Sequence, residues 1–144
     1  MRFLILSSML LTLNGCGPES TVYADRGTVC LYSESPQSSS TLQHYDAGHV
    51  IRVVAHSPDC FQSGCSSVVD AECEVKVVSG KVVLETFFSI ETRDRQCKSD
   101  CRQAEASCKS AVPLEEGSYQ VGLGSAMVTL DVPSKQKPIC LEVP

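Results

Sequence analysis

Alternating apolar and polar residues recur along most of the chain and predict β-strands. The segment 73–91, CEVKVVSGKVVLETFFSIE, holds two such runs on either side of Ser79-Gly80. In each run every second position is apolar, the spacing of a strand with one buried face, and the glycine supplies the positive φ that a tight hairpin needs. This segment therefore predicts a β-hairpin. Its predicted inward residues are Cys73, Val75 and Val77 on the first strand and Val82, Leu84, Thr86, Phe88 and Ile90 on the second.

Further extended runs come at short intervals on both sides of this hairpin. Residues 28–34 read as a first strand, and residues 49–56 place Ile51, Val53 and Ala55 on one face. Residues 117–133 alternate on both sides of Gly124-Ser125, and 137–144 form a last extended segment. At least six strands separated by turn residues predict a single all-β domain, 28–144, folded as an antiparallel β-sandwich.

Residues 92–111, TRDRQCKSDCRQAEASCKSA, are polar and lack this alternation. Ser99 or Asp100 is a suitable N-cap, so we expect one short helix through Lys109. A helix would place Cys101, Ala104 and Cys108 along one stripe, from which the thiols would form bridges to neighbouring strands or loops, for instance to Cys73. The alternative is an irregular loop with a local Cys97–Cys101 bridge.

The chain has nine cysteines, an odd number that leaves one thiol over if the others pair. If Cys16 is modified in another way, the other eight can form four disulfides, which implies an oxidising compartment. Cys60 and Cys65 are close enough in sequence for a local bridge, and Cys140 could join the last segment to the first strand at Cys30. No complete pairing is predicted. The cysteines expected in disulfides are Cys30, Cys60, Cys65, Cys73, Cys97, Cys101, Cys108 and Cys140.

The first residues have the features of an export signal. Arg2 is followed by an apolar run, Phe3–Leu13, which is too short to span a bilayer as a helix. A conventional peptidase could cut after Ala24, although that site lies eleven residues beyond Leu13. The earlier site, Leu13-Asn14-Gly15-Cys16, resembles the lipobox of bacterial lipoproteins.

The lipobox resemblance implies that the Cys16 thiol receives a diacylglyceryl group, that the chain is cut before Cys16, and that the new N-terminus is acylated. Two or three acyl chains make a stable membrane anchor. Residues 1–15 are then a signal peptide and 16–27 a lipid anchor and tether. Gly17, in place of aspartate, implies the outer membrane rather than the inner one.

The segment 115–133, EEGSYQVGLGSAMVTLDVP, resembles the final hairpin of the immunoglobulin-like domains that are common on bacterial surfaces. The chain has no Trp and so lacks the Cys–Trp–Cys hallmark of antibody domains. The resemblance therefore extends to the architecture only.

Charge and motifs argue against several function classes. From Cys16 on there are 17 acidic and 11 basic residues, a net charge of −6, and no basic stripe, so we expect no nucleic-acid partner. His44, His49 and His56 do not form a cluster, no Gly-x-Ser-x-Gly elbow occurs, and the glycine-rich 122–126 lacks the lysine of a phosphate loop. Neither the cysteine spacing nor the acidic residues match a metal site. We predict no catalytic residue, no metal and no other cofactor.

Together these features predict a non-enzymatic lipoprotein of the bacterial cell envelope. Its β-sandwich would be a binding or structural module, held at the membrane by Cys16, with an envelope protein or glycan as partner. Loops carry function on such scaffolds, so residues 57–72 and 93–112 are the expected contact surfaces. The alternative is a small exported enzyme or enzyme inhibitor, for which a pocket with converging histidines and carboxylates would be the sign.

Overall fold

The computed structural model describes residues 18–35, 41–42, 44–93, 97, 99–135 and 138–144. In these residues there are ten strands and no helix, so none is long and apolar enough to cross a membrane. The predicted all-β sandwich is confirmed. The strands are β1 (Glu19–Ala24), β2 (Gly27–Glu34), β3 (Thr41–Leu42), β4 (Val50–His56), β5 (Ser66–Val78), β6 (Lys81–Thr92), β7 (Glu105–Lys109), β8 (Gly117–Leu123), β9 (Ala126–Val132) and β10 (Ile139–Val143).

The strands form two sheets of five, here named sheet A and sheet B. In sheet A, β5 pairs with one edge of β6, while β1 and β8 share the other edge end to end, and β9 follows β8. In sheet B the order is β7, β4, β2, after which β10 and β3 share the free edge of β2. All pairs are antiparallel except β6 and β8, which run parallel over four residues.

The core lies between the sheets and consists of the alternating residues that the sequence placed inward. Val82, Leu84, Thr86, Phe88 and Ile90 of β6 are all buried. They face buried residues of sheet B, among them Ile51, Val53 and Ala55 of β4. The Ser79-Gly80 hairpin is also confirmed: both turn residues have positive φ, 47° and 75°, as a type I′ turn requires.

Two disulfides join strands of the sandwich. Cys73 of β5 is bonded to Cys108 of β7, so one bridge crosses between the sheets at the edge where these strands lie side by side. Cys30 and Cys140 stand directly opposite each other on β2 and β10 and form the bridge expected from the sequence.

The predicted helix through Lys109 is wrong, because Glu105–Lys109 is strand β7, paired with β4. The inward residues here are Ala104, Ala106, Cys108 and Ser110, which alternate with outward polar residues. This is a period of two, but the inward side chains are small because β7 lies against β5 at the Cys73–Cys108 bridge. With no large apolar residue in the run, the alternation was not visible in the sequence.

The structure also places strand β1 inside the segment assigned to a tether. All six residues of β1 pair with β6. The register runs from Ala24 opposite Phe87 to Glu19 opposite Thr92. Sheet A thus extends well beyond sheet B, since β5 and β6 have 13 and 12 residues. Beyond the end of sheet B, the second layer is made by two loops, 57–65 and the described part of 97–104, which we call the stapled loops.

Candidate functional site

Two disulfides join the stapled loops to each other. Cys60 is bonded to Cys101, and Cys65 is bonded to Cys97. The local bridges considered from the sequence, Cys60–Cys65 and Cys97–Cys101, are therefore wrong. Both cysteines of each loop cross to the other loop, because the loops lie side by side over sheet A. The two expected contact regions, 57–72 and 93–112, thus meet in one unit, although their outer parts belong to β5 and β7.

Hydrogen bonds strengthen the same junction. Phe61 and Arg102 exchange two backbone hydrogen bonds, of 2.7 and 3.0 Å. The Ser63 amide donates to Asp100 Oδ1 at 3.0 Å, and the Ser63 hydroxyl donates to the other carboxylate oxygen. These bonds to the charged carboxylate lower the pKa of Asp100. The stapled loops are therefore an ordered unit rather than two independent excursions.

The stapled loops pack on the inner face of sheet A through Tyr23 of β1. The Tyr23 hydroxyl donates to Asp59 Oδ2 at 2.9 Å. Burial, followed by the hydrogen bond and charge of Asp59, raises the pKa of Tyr23. Phe61 and Ile90 line the same open cleft, of about 350 Å³. Strand β1 is thus connected both to β6 and to the loops.

The tip of this end, where sheet A and the loops finish together, has a distinct composition. Residues 62–69, QSGCSSVV, contain no charge. Val68 is 40% exposed, and Val69, which sits at a β-bulge, is 61% exposed. Arg93 follows β6 and donates its amide to the Cys65 carbonyl. The Arg93 side chain is largely exposed and lines a small concavity with Ser63, Gly64, Cys65, Ser66 and Ser67.

The histidines do not assemble a catalytic centre. His44 pairs with Asp46 at 2.9 Å, with both side chains exposed. His49 Nδ1 lies 3.0 Å from the Ser33 hydroxyl, and His56 stands at the far end of β4, opposite Thr28 and Glu105. Within the described ranges, no three His, Cys, Asp or Glu side chains are placed to hold a metal ion. An open groove of about 620 Å³ lies beside Cys73 and Thr86.

A charged cluster on sheet B was not foreseen from the sequence. Glu34 is only 5% exposed and accepts a hydrogen bond from Lys109 across the sheet. Its second oxygen, Oε2, and Nε of Arg52 on the intervening strand are buried and have no hydrogen-bond partner in the part of the chain that the structure describes. Glu34 is the last residue of β2 and lies on the same face as Thr28, Cys30 and Tyr32, which are only partly buried, so nothing in the sequence pattern marks it as buried. The bond between Glu34 and Lys109 thus connects β2 to β7 across β4.

Cys16, the residue with the most specific predicted role, lies outside the described residues. The remaining eight cysteines are all in disulfides. Four disulfides in a chain of this length indicate an oxidising, exported environment.

No protein-family model, no curated protein and no solved structure matches this chain.

Proposed function

We propose that the chain is a lipid-anchored protein of the bacterial cell envelope, whose β-sandwich is a non-enzymatic binding or structural module. The observation that carries this proposal is the pairing of the other eight cysteines. Cys16 has no cysteine of its own chain left to pair with. A single remaining cysteine directly after Leu13-Asn14-Gly15 is what lipidation at this position would require.

Strand β1 supports cleavage before Cys16 rather than after Ala24. A cut after Ala24 would remove all of Glu19–Ala24 and with it one of the two strands that pair with the last six residues of β6. It would also remove Tyr23 and its hydrogen bond to Asp59. A cut before Cys16 keeps the complete sheet, and Gly17 in the next position favours the outer membrane.

The surfaces of the domain favour binding over catalysis. The described concavities are open, and the three histidines lie apart. The stapled loops, in contrast, are rigidly held by two disulfides and a backbone hydrogen-bonded pair. A preorganised surface loses less conformational entropy when it binds, and an envelope protein, a glycan or the membrane itself is the class of partner that such an anchored module meets.

Incorporation of a radiolabelled fatty acid in a bacterial host tests the anchor. The wild-type chain should carry the label, and Cys16→Ser should not, because the serine hydroxyl offers no thiol for the diacylglyceryl group. The matched control is the double variant Cys30→Ser/Cys140→Ser, which loses two cysteines at an exposed bridge and should keep the label. A wild-type chain without label, or a labelled Cys16→Ser, would disprove the proposal.

A further inference from the structure

We propose that the tip formed by the stapled loops and the ends of β1, β5 and β6 is the surface that faces the lipid headgroups. This inference rests on the proposed anchor at Cys16 and adds the orientation of the domain. The surface is defined by residues 62–69 and Arg93. Its partner is the phospholipid layer that holds the anchor.

The distance along the chain from the anchor to the fold is short. Strand β1 begins at Glu19, three residues after Cys16, so their Cα atoms are at most about 11 Å apart. Glu19 is in register with Thr92 of β6, and Thr92 is in register with Ser66 of β5. A lipid on Cys16 therefore brings this row of three strand ends to the headgroup layer.

The opposite end of the sandwich is out of reach. Strand β6 has 12 residues, and at about 3.3 Å per residue its two ends are about 36 Å apart. The Ser79-Gly80 turn and the start of β8 lie at that far end, since Gln120 donates its amide to the Gly80 carbonyl. A tether of two residues, Gly17 and Pro18, cannot bring both ends to the membrane unless the domain lies on its side.

Charge argues against an orientation in which the outer face of sheet A lies on the membrane. Glu72, Glu74, Glu85 and Asp131 are exposed there, and Lys76 is paired with Glu74 and Glu85. Anionic lipids give a membrane a negative surface potential, which repels carboxylates that lie within about a Debye length of the surface. An acidic face is thus held away from the bilayer.

The tip differs from this acidic face in the run 62–69. Its eight-residue run without charge ends in the exposed Val68 and Val69, which can enter the headgroup region at little cost in desolvation. The Arg93 guanidinium, whose Nε donates to Glu91 Oε1 at 3.4 Å, and the Ser67 hydroxyl line one concavity. The Ser63 hydroxyl in the same concavity donates to Asp100, and the Ser66 hydroxyl is bonded to Thr92. Guanidinium and hydroxyl groups are the donors that a lipid phosphate accepts from.

The exposed valines of the chain serve as native probes of this orientation. The oxidised chain from Cys16 onward has one thiol, which can be coupled to a maleimide phospholipid in nanodiscs of phosphatidylethanolamine and phosphatidylglycerol. Methyl NMR is then recorded with and without a gadolinium-chelating lipid. Val68 and Val69 should lose signal, whereas Val78 should keep it. Val69 and Val78 are matched, because both belong to β5 and are 61% and 60% exposed.

Chemical coupling separates this inference from the proposed anchor, which the fatty-acid label tests independently. Equal loss at Val69 and Val78 would overturn the inference by showing a domain without fixed orientation. Loss at Val83 and Met127 of sheet A instead of Val69 would show that the domain lies on its acidic face. Unchanged Val68 and Val69 signals would mean that the tip points away from the lipid and is open to a protein partner.

Discussion

Gly27 is the residue at which the chain passes from sheet A to sheet B, and no other residue type fits there. Its φ is +116°, and a Cβ would lie 2.1 Å from the His56 carbonyl oxygen. We expect Gly27→Ala to lower the free energy of unfolding by at least about 3 kcal/mol, because backbone strain and a clash with main-chain atoms add together. Denaturant unfolding of the oxidised protein measures this loss.

Gly48→Ala is the matched control. Gly48 also has a positive φ, +82°, but a Cβ there would meet nothing within 4 Å. Strain alone should then cost about 1–2 kcal/mol. Equal losses for the two variants would contradict the steric role of Gly27.

The hydroxyl of Tyr45 completes a backbone pair between β2 and β10. It donates to the Leu31 carbonyl at 2.7 Å and accepts from the Ile139 amide at 3.0 Å, and these two residues stand opposite each other. Tyr45→Phe should destabilise the fold by about 1–3 kcal/mol because both groups lose their partner. Tyr119→Phe, whose hydroxyl contacts the exposed backbone of Glu115, should cost less.

The same tyrosine predicts a dependence on alkaline pH. Burial raises the pKa of Tyr45 above its ordinary value of 10. The stability gained from a raised pKa is fully present below pH 10 and is lost as pH rises through the folded-state pKa, because the unfolded chain ionises first. The difference in stability between wild type and Tyr45→Phe should therefore shrink above pH 10. A stability difference between the two proteins that grows above pH 10 would contradict a Tyr45 hydroxyl that is buried and protonated in the folded state.

At the scale of elements, the stapled loops should behave as one unit held by two disulfides. Either bridge, Cys60–Cys101 or Cys65–Cys97, keeps the loops side by side, so removing one pair should leave the Phe61 and Arg102 amides protected from hydrogen exchange. Removal of both pairs should expose these amides while β6 stays protected, because β6 is buried in the main core. Loss of protection throughout β6 would show that the loops are part of the global core.

The sequence predicted the elements whose inward residues are large. The β5–β6 hairpin was foreseeable because large apolar residues such as Val75, Leu84 and Phe88 alternate with polar ones on either side of Gly80, which can adopt the positive φ of the turn. Strand β7 was not, because its inward Ala106 and Cys108 are small, and because Cys101, Ala104 and Cys108 also have the spacing of one helix face. Strand β1 has one partly buried large residue, Tyr23, and forms because the second half of β6 offers a free edge.

The candidate site was foreseeable only in part. Two cysteine loops were expected to present contact surfaces, and the structure joins them into one. Their bridges were not predictable, since Cys60–Cys101 and Cys65–Cys97 depend on how β4, β5 and β7 place the loops in space. The buried Glu34 likewise depends on the neighbouring strand that carries Lys109.

For the whole molecule, the account depends on how the nine cysteines are divided: eight in four disulfides and Cys16 in a thioether to lipid. The intact mass of the protein extracted from the membrane fraction, before and after reduction and alkylation, measures both at once. We predict a chain that begins at Cys16 and carries diacylglyceryl and acyl groups, with no alkylation before reduction and eight alkylated cysteines afterwards. A chain that begins at Asp25, or a ninth alkylated cysteine at an unmodified Cys16, would contradict it.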